Sequence, residues 1–447
     1  PSSNVLRTRR SLLIQYHSRI QPRSRGFRWP EGKDLLQVQT HLYQDLYDGD
    51  RTAARRSFPA SDKYDKSFLK ELLKRLEESI QRETERLSSE GRQEEASDLE
   101  LEERFLSRYS NLMGRGASFG PGVDLPPDSE YVTYHWRVPR PSLDGSGSAD
   151  GGNDKAYRDA LEGFQSVTIR EQGISISRGT TGLKTWEASL RLAAHIVRSS
   201  SGTTHHPDRA WNDHDVTRPG TRVLELGSGV GLLGCVVSAL QVRKATTVVK
   251  DQEGQGKRRR RREASLETVL TDVPGQVLDR LQETLEINSL RSYPSCRVQG
   301  LDWLKVEREG EEEREREEEE EGFYKPNLIL AADVVYDPDL VGPLASTIKA
   351  CLSSGRPSTE DTAAPMHASN QLEQELQPKA LVASTVRNPK TYELFLQHLT
   401  SKGMAFEKLP DPSASPSSPD DQGDLPLFPS SHDPNVDGHV ELIRITL

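Results

Sequence analysis

The chain has 447 residues, of which 33% are apolar and 29% charged, with a net charge of −10. That length holds two or three domains, but so polar a composition puts much of it in loops and inserts rather than packed interior. The acidic balance argues against binding DNA or RNA through the whole surface. No run of about 18 apolar residues offers a membrane helix. Cys235, Cys296 and Cys351 form no C-x-x-C pair, which points to a reduced, cytoplasmic protein without a structural metal.

The first 30 residues carry Arg7, Arg9, Arg10, Arg19, Arg23, Arg25 and Arg28 and no acid. Mitochondrial presequences share that composition, and so does a basic helix of a first domain. Apolar residues then recur at threes and fours from Leu35 to Leu46, through Leu69, Leu72, Leu73, Leu76 and Ile80, and through Leu99, Phe105, Leu106, Tyr109 and Leu112. These are amphipathic helices, with Ser67 the expected N-cap of the second. They make residues 1–113 a helical N-terminal domain. Residues 114–164, dense in Gly, Pro, Ser and Asp, read as a flexible linker.

From 165 to 447 strands and helices alternate. Ser166–Arg170 and Ile174–Ser177 read as a hairpin around Gly173. Trp186 then precedes an apolar helix through Leu190, Leu192, Ala193 and Ile196, placed either to cover a ligand or to pack beneath that helix. Further strands are expected at Val223–Leu226, Leu266–Thr271, Arg297–Leu301, Leu328–Asp333, Ala380–Thr385, Met404–Leu409 and Val440–Leu447. Helices between them predict a doubly wound α/β sheet of seven strands. Polar inserts interrupt it near 250–263, 306–322, 353–377 and 410–438. The first holds Lys257 and five arginines, a solvated insertion or else a nuclear-localisation or RNA-binding patch; the second is a run of glutamates from Glu311 to Glu321.

The strand at Val223 runs into Glu225-Leu-Gly227-Ser228-Gly229-Val-Gly231 and then an apolar helix. Such glycines let the backbone turn sharply and bring bare N–H groups against a ligand at a helix N-terminus. Gly229-Val-Gly231-Leu-Leu-Gly234 also satisfies the dinucleotide pattern G-x-G-x-x-G, so NAD is a rival ligand. Glu225, however, would accept hydrogen bonds from an amine or hydroxyl and would repel a diphosphate. Asp272 ends the second strand, where such folds bond ribose hydroxyls; it could equally cap the next helix. Asp302-Trp303 after the third strand suits an adenine ring. Asp333-Val-Val-Tyr336 follows the fourth strand at the edge where open α/β sheets bind ligands. Its carboxylate and ring suit an ammonium group, with a helix cap the alternative role for Asp333.

The full run of acid and glycines resembles motif I of seven-strand S-adenosylmethionine-dependent methyltransferases. Thr180-Thr-Gly-Leu-Lys-Thr-Trp186, Leu224–Gly229, Leu301-Asp-Trp303, Ala331-Ala-Asp-Val-Val-Tyr336 and Thr385-Val-Arg-Asn-Pro389 occur in the order found in the seven-strand protein-lysine methyltransferases of methyltransferase family 16. That resemblance implies a Rossmann-like methyltransferase fold with a helical N-terminal domain. It implies S-adenosylmethionine held by Trp186, Glu225, Gly227, Ser228, Gly229, Asp272, Trp303 and Ala332, and a lysine channel lined by Asp333 and Tyr336. It also implies a cytoplasmic monomer acting on a protein substrate, elongation factor 2, with no DNA, membrane or metal. A methyltransferase for RNA or small molecules, and a silent binding module on the same scaffold, are the other classes.

Overall fold

A computed structural model describes residues 3–48, 58–115, 129–137, 159–172, 183–200, 214–253, 266–290, 296–308, 325–354, 377–410 and 425–447. The chain divides into two compact units, one of Pro1–Arg137, Leu143–Ser166 and Pro416–Asp433, the other of Val138–Ser142, Val167–Ser415 and Pro434–Leu447. The runs 257–262 and 311–321 lie outside the described residues, as does the second strand of the hairpin expected around Gly173.

The first unit contains helices α1 (Ser3–His17), α2 (Gly32–Tyr47), α3 (Asp62–Ser89), α4 (Gln93–Ser97) and α5 (Glu103–Arg115) and strand β1 (Ser129–Trp136). Its core gathers Leu12, Leu13, Leu35, Leu42, Phe68, Leu72 and Phe105. The basic N-terminal stretch is part of this unit: Arg9 in α1 is fully buried and donates from Nε and Nη2 to Asp45 at 2.9 and 3.0 Å. Helix α3 starts earlier than its apolar periodicity suggests. Its N-cap is Ser61, which accepts from the Tyr64 N–H at 3.2 Å, while Ser67 lies inside the helix. The early turn buries Tyr64, but also an acid, Asp65, which breaks the apolar count. Tyr16 donates to Asp65 Oδ1 at 2.9 Å, Tyr47 donates to the same oxygen, and Arg108 donates to Oδ2 at 2.7 Å from Nη2.

Two stretches expected to lack structure have it. Strand β1 falls within the expected linker, and its Trp136 is fully buried. Phe428, from the insert expected near 410–438, packs edge-on against Trp136 with ring centroids 5.8 Å apart. The Gly, Pro and Ser flanks dominated the composition there and masked a short run of Tyr, Val and Trp suited to a strand. Asp65→Ala should cost on the order of 1–3 kcal/mol by removing the acceptor shared by a half-exposed guanidinium and two phenols. Urea unfolding of the variant checks this.

In the second unit the seven-stranded sheet consists of β3 (Arg222–Leu226), β4 (Glu267–Asp272), β5 (Cys296–Gly300), β6 (Leu328–Ala332), β7 (Lys379–Val386), β8 (Ala405–Leu409) and β9 (His439–Thr446). Their spatial order is β5-β4-β3-β6-β7-β9-β8, with β9 antiparallel to both neighbours and the other pairs parallel. The helices are α6 (Glu187–Ser199), α7 (Leu232–Glu253), α8 (Gln276–Ile287), α9 (Trp303–Arg308), α10 (Val341–Ser354) and α11 (Pro389–Ser401), with a short α12 (Pro434–Asp437) before β9. Helices α6 and α7 pack together, α8 lies against β4 and β5, and α9, α10 and α11 form the other layer.

Alternation along the strands sorts side chains between those layers. Leu224, Leu226, Val269, Ile329 and Val382 join α10 and α11 in one core. Glu225 and Leu270, paired across β3 and β4, face α7 instead. Strand β2 (Gln165–Gln172) is tied to α8: the Thr168 N–H donates to Asn288 Oδ1, and Asn288 Nδ2 donates to the Thr168 carbonyl, both at 2.8 Å. The chain runs from β3 outward to β4 and β5 and returns to β6 on the other side of β3. The strand order therefore reverses between β3 and β6, the point at whose carboxyl ends open α/β sheets bind ligands.

Candidate active site

The loop leaving β3 has Gly227, Gly229 and Gly231 at φ of 66°, 55° and 86°, left-handed values that favour glycine. Gly227 is also confined by its neighbours. A Cβ there would lie 2.7 Å from Val334 Cγ1 and 3.4 Å from the Trp303 ring. The glycine loop, the residue after Asp333 and the indole of α9 are therefore in mutual contact. Asp272 fixes the loop from β4: its Oδ2 accepts the Gly229 N–H at 2.8 Å and its Oδ1 the Val273 N–H at 2.8 Å. Helix α8 is capped at Gly275, so Asp272 serves the loop and not that helix. Burial raises the Asp272 pKa, and the two N–H bonds work against the rise.

Glu225 is placed differently from the ligand contact that its sequence position suggested. It is 2% exposed and lies in the layer between the sheet and α7, its Oε2 only 2.6 Å from where a Cβ on Gly234 would sit. Burial pushes its pKa up to about 8, opposed by the nearby Ser228 hydroxyl and Gly234 N–H and helped by the charge of Asp272. Neither Ser228 Oγ nor Glu225 Oε2 completes a well-formed hydrogen bond. Glu225 is thus a largely neutral support beneath the loop at pH 7.

At the end of β6, half-exposed Ala332 is followed by Asp333 in a left-handed conformation, φ 58°, rare for a residue with a Cβ. Four hydrogen bonds hold it. Its N–H donates to the Ala383 carbonyl at 2.8 Å, and its Oδ1 accepts the Thr385 N–H at 3.0 Å. Arg387 donates Nη2 to Oδ2 at 2.8 Å and Nη1 to Oδ1 at 3.3 Å. The reading of Asp333 as a helix cap is set aside, because the carboxylate turns toward β7 and not toward α10. Tyr336, three residues on, is 49% exposed at the same edge.

Trp186 sits at the N-terminus of α6, half-buried, with the Arg387 guanidinium 4.8 Å from its ring centroid and Lys184 Nζ at 5.8 Å. Trp303 opens α9, whose N-terminus Asp302 caps by accepting the Leu304 N–H at 2.9 Å. The structure therefore brings Gly227, Ser228, Gly229, Asp272 and Trp303 together at the loop, and Trp186, Ala332 and Asp333 together one strand further along. Arg387, which joins Trp186 to Asp333, stands in the sequence only as part of the Thr385–Pro389 motif. Its signal was topological: Asp333 and Arg387 each follow the last residue of neighbouring parallel strands. Among the described residues no cluster of His, Cys, Asp or Glu is arranged to hold a metal ion, and no helix is long and apolar enough to cross a membrane.

This strand order, with a glycine loop after β3 and an acid after β4, defines the seven-strand, Rossmann-like fold of S-adenosylmethionine-dependent methyltransferases. Residues 165–358 match the lysine methyltransferase family. The human protein-lysine N-methyltransferase EEF2KMT is 28% identical over 246 residues, which is 55% of this chain and 58% of that protein. The chain thus spans less than two thirds of that relative's length. The protein-lysine N-methyltransferase EFM3 of Chaetomium thermophilum is 24% identical over 397 residues, 86% of either chain. A solved S-adenosylmethionine-dependent methyltransferase from Agrobacterium tumefaciens is 13% identical, covering 63% of this chain and 67% of its own, with a TM-score of 0.29.

The buried carboxyl of Glu225 gives a pH signature. An acid whose pKa rises on folding, here from 4.5 to about 8, contributes stability that is present below pH 4.5 and lost as pH climbs through 8. Glu225→Gln escapes that loss. Its stability relative to the parent protein should therefore increase between pH 5 and pH 9, by up to a few kcal/mol. Thermal unfolding across that range checks this; a constant difference would mean that Glu225 is charged throughout.

Proposed function

We propose that this chain is an S-adenosylmethionine-dependent protein-lysine N-methyltransferase whose protein substrate is elongation factor 2. The observation that carries the reading is the contact between the two halves of the site. Val334, next to Asp333, abuts Gly227, so a group bound on the glycine loop lies beside the carboxylate at the end of β6. The match of residues 165–358 to the lysine methyltransferase family and the names of the human and fungal relatives support the lysine and elongation-factor assignments. The reading has the protein act as a cytoplasmic monomer, with the helical unit as a separate domain.

The residues present fit the methyl donor. The left-handed turn at Gly227 and Gly229 presents loop backbone at the strand end, and the buried Ser228 hydroxyl lacks a well-formed partner. Two of the four acceptor positions on the Asp272 carboxylate are used by N–H groups, leaving two for ribose hydroxyls. Trp303 and Trp186 offer apolar faces, and Ala332 is a small residue at the same strand edge. When bound, the donor supplies an electrophilic methyl group on a positively charged sulfur. The chain's own part is to orient. Asp333 attracts the lysine ammonium, Tyr336 offers a ring against its alkyl stem, and the indoles keep water from the crevice. Alignment of this kind is a large share of catalysis in a simple transfer.

Two results test the proposal. Gly229→Arg puts a side chain where φ is 55° and where Asp272 binds the loop. It should reduce S-adenosylmethionine affinity at least tenfold in calorimetry. Asp333→Ala should leave that affinity intact and reduce radiolabelled methyl transfer to elongation factor 2 by roughly 30-fold to 1,000-fold, about 2–4 kcal/mol. Label appearing on total RNA instead of protein would replace the lysine reading with a nucleic-acid one.

A further inference from the structure

Asp333 is expected to receive a lysine, yet a cation from its own chain is already bound to it. Its side chain is 5% exposed and that of Arg387 41%. The guanidinium is held on two sides, by the carboxylate at 2.8 Å and by the Trp186 ring 4.8 Å from Cζ. The carboxylate is held as well, by the Thr385 N–H on Oδ1. Three N–H donors therefore occupy three of its four acceptor positions, and the one left is on Oδ2. A lysine arriving at the edge has a place on Asp333 without displacing Arg387.

We propose that Arg387 is a positioning residue of the lysine subsite, remaining paired with Asp333 during turnover so that the substrate amine enters beside a neutral ion pair and not a bare carboxylate. This inference rests on the lysine-methyltransferase reading above. Its chemical point concerns one proton. A lysine nitrogen attacks only after an N–H bond breaks, the proton passing to water and the electron pair staying on nitrogen. An isolated carboxylate within 4–6 Å holds the ammonium form and raises its pKa by about 1–3 units. A guanidinium on the same carboxylate offsets that pull while leaving a lone pair to orient the amine.

Other charges near this edge are otherwise engaged. Lys184 lies over Trp186. Glu441, opposite Ser384 on β9, pairs with Lys408, and His439, opposite Val386, pairs with Glu441. Asp337 accepts the Asp339 N–H. Among the described residues Arg387 is the cation that bonds Asp333.

The test is the pH dependence of turnover at saturating elongation factor 2 and S-adenosylmethionine, for the parent protein, Arg387→Gln, Arg387→Met and Arg387→Lys, with melting temperatures measured alongside. Met keeps an unbranched stem to lie on Trp186, so it carries the test if the Gln variant fails to fold. Loss of the charge should move the rising limb of the profile up by about one pH unit or more. Activity is then reduced near neutrality and recovered at higher pH, and Lys should keep the parent profile. A uniform loss at every pH, or no change, in Gln and Met would overturn the inference while leaving the lysine reading in place. A parent protein that methylates no lysine in any protein of a eukaryotic lysate would overturn the reading itself, and this inference with it.

Discussion

The bond from the Gly229 N–H to the Asp272 carboxylate is the tie on which the rest of the site depends. It joins the loops leaving β3 and β4, and so converts two independent strand ends into one floor. Trp303 and Val334 then close against Gly227 from β5 and β6. Parallel strands with right-handed crossovers place every one of these loops at the same edge. The sheet supplies the alignment, and a few polar contacts lock it.

The same economy governs the end of β6. Asp333 adopts a backbone conformation that costs on the order of 1–3 kcal/mol for a residue with a Cβ, and such strain persists only where surrounding contacts over-determine it. Here the contacts come from β7, through the Ala383 carbonyl, the Thr385 N–H and the Arg387 side chain. Strand β7 is therefore as much a part of the site as the strand that bears the acid.

Much of this was legible in the sequence. The sheet strands follow the expected ranges to within a residue or so, and for β3, β4, β6 and β7 the reason is that buried parallel strands are short apolar runs bounded by turn residues. The glycine loop and Asp272 were legible because few residue types tolerate those positions. Four features were not. The cap of α3 was misplaced because a buried acid, Asp65, interrupts the apolar count. Strand β1 was averaged into its Gly- and Pro-rich flanks. The burial of Glu225 and the pairing of Arg387 depend on which face a strand residue takes and which strands are neighbours, and both follow from topology and not from local pattern.

Gly234 shows how far that topology reaches. It lies on α7, away from the ligand edge, yet a Cβ there would come within 2.6 Å of both Glu225 Oε2 and Leu270 Cγ. Helix, acid and leucine thus form one steric unit in which the helix approaches the sheet as closely as its missing side chain permits. Positions 225 and 234 are consequently tied by volume: a larger residue at 234 becomes acceptable only alongside a shorter one at 225 and a rearranged Leu270. Sequence change at these positions should therefore proceed in compensating steps, although neither residue lies at the reacting edge.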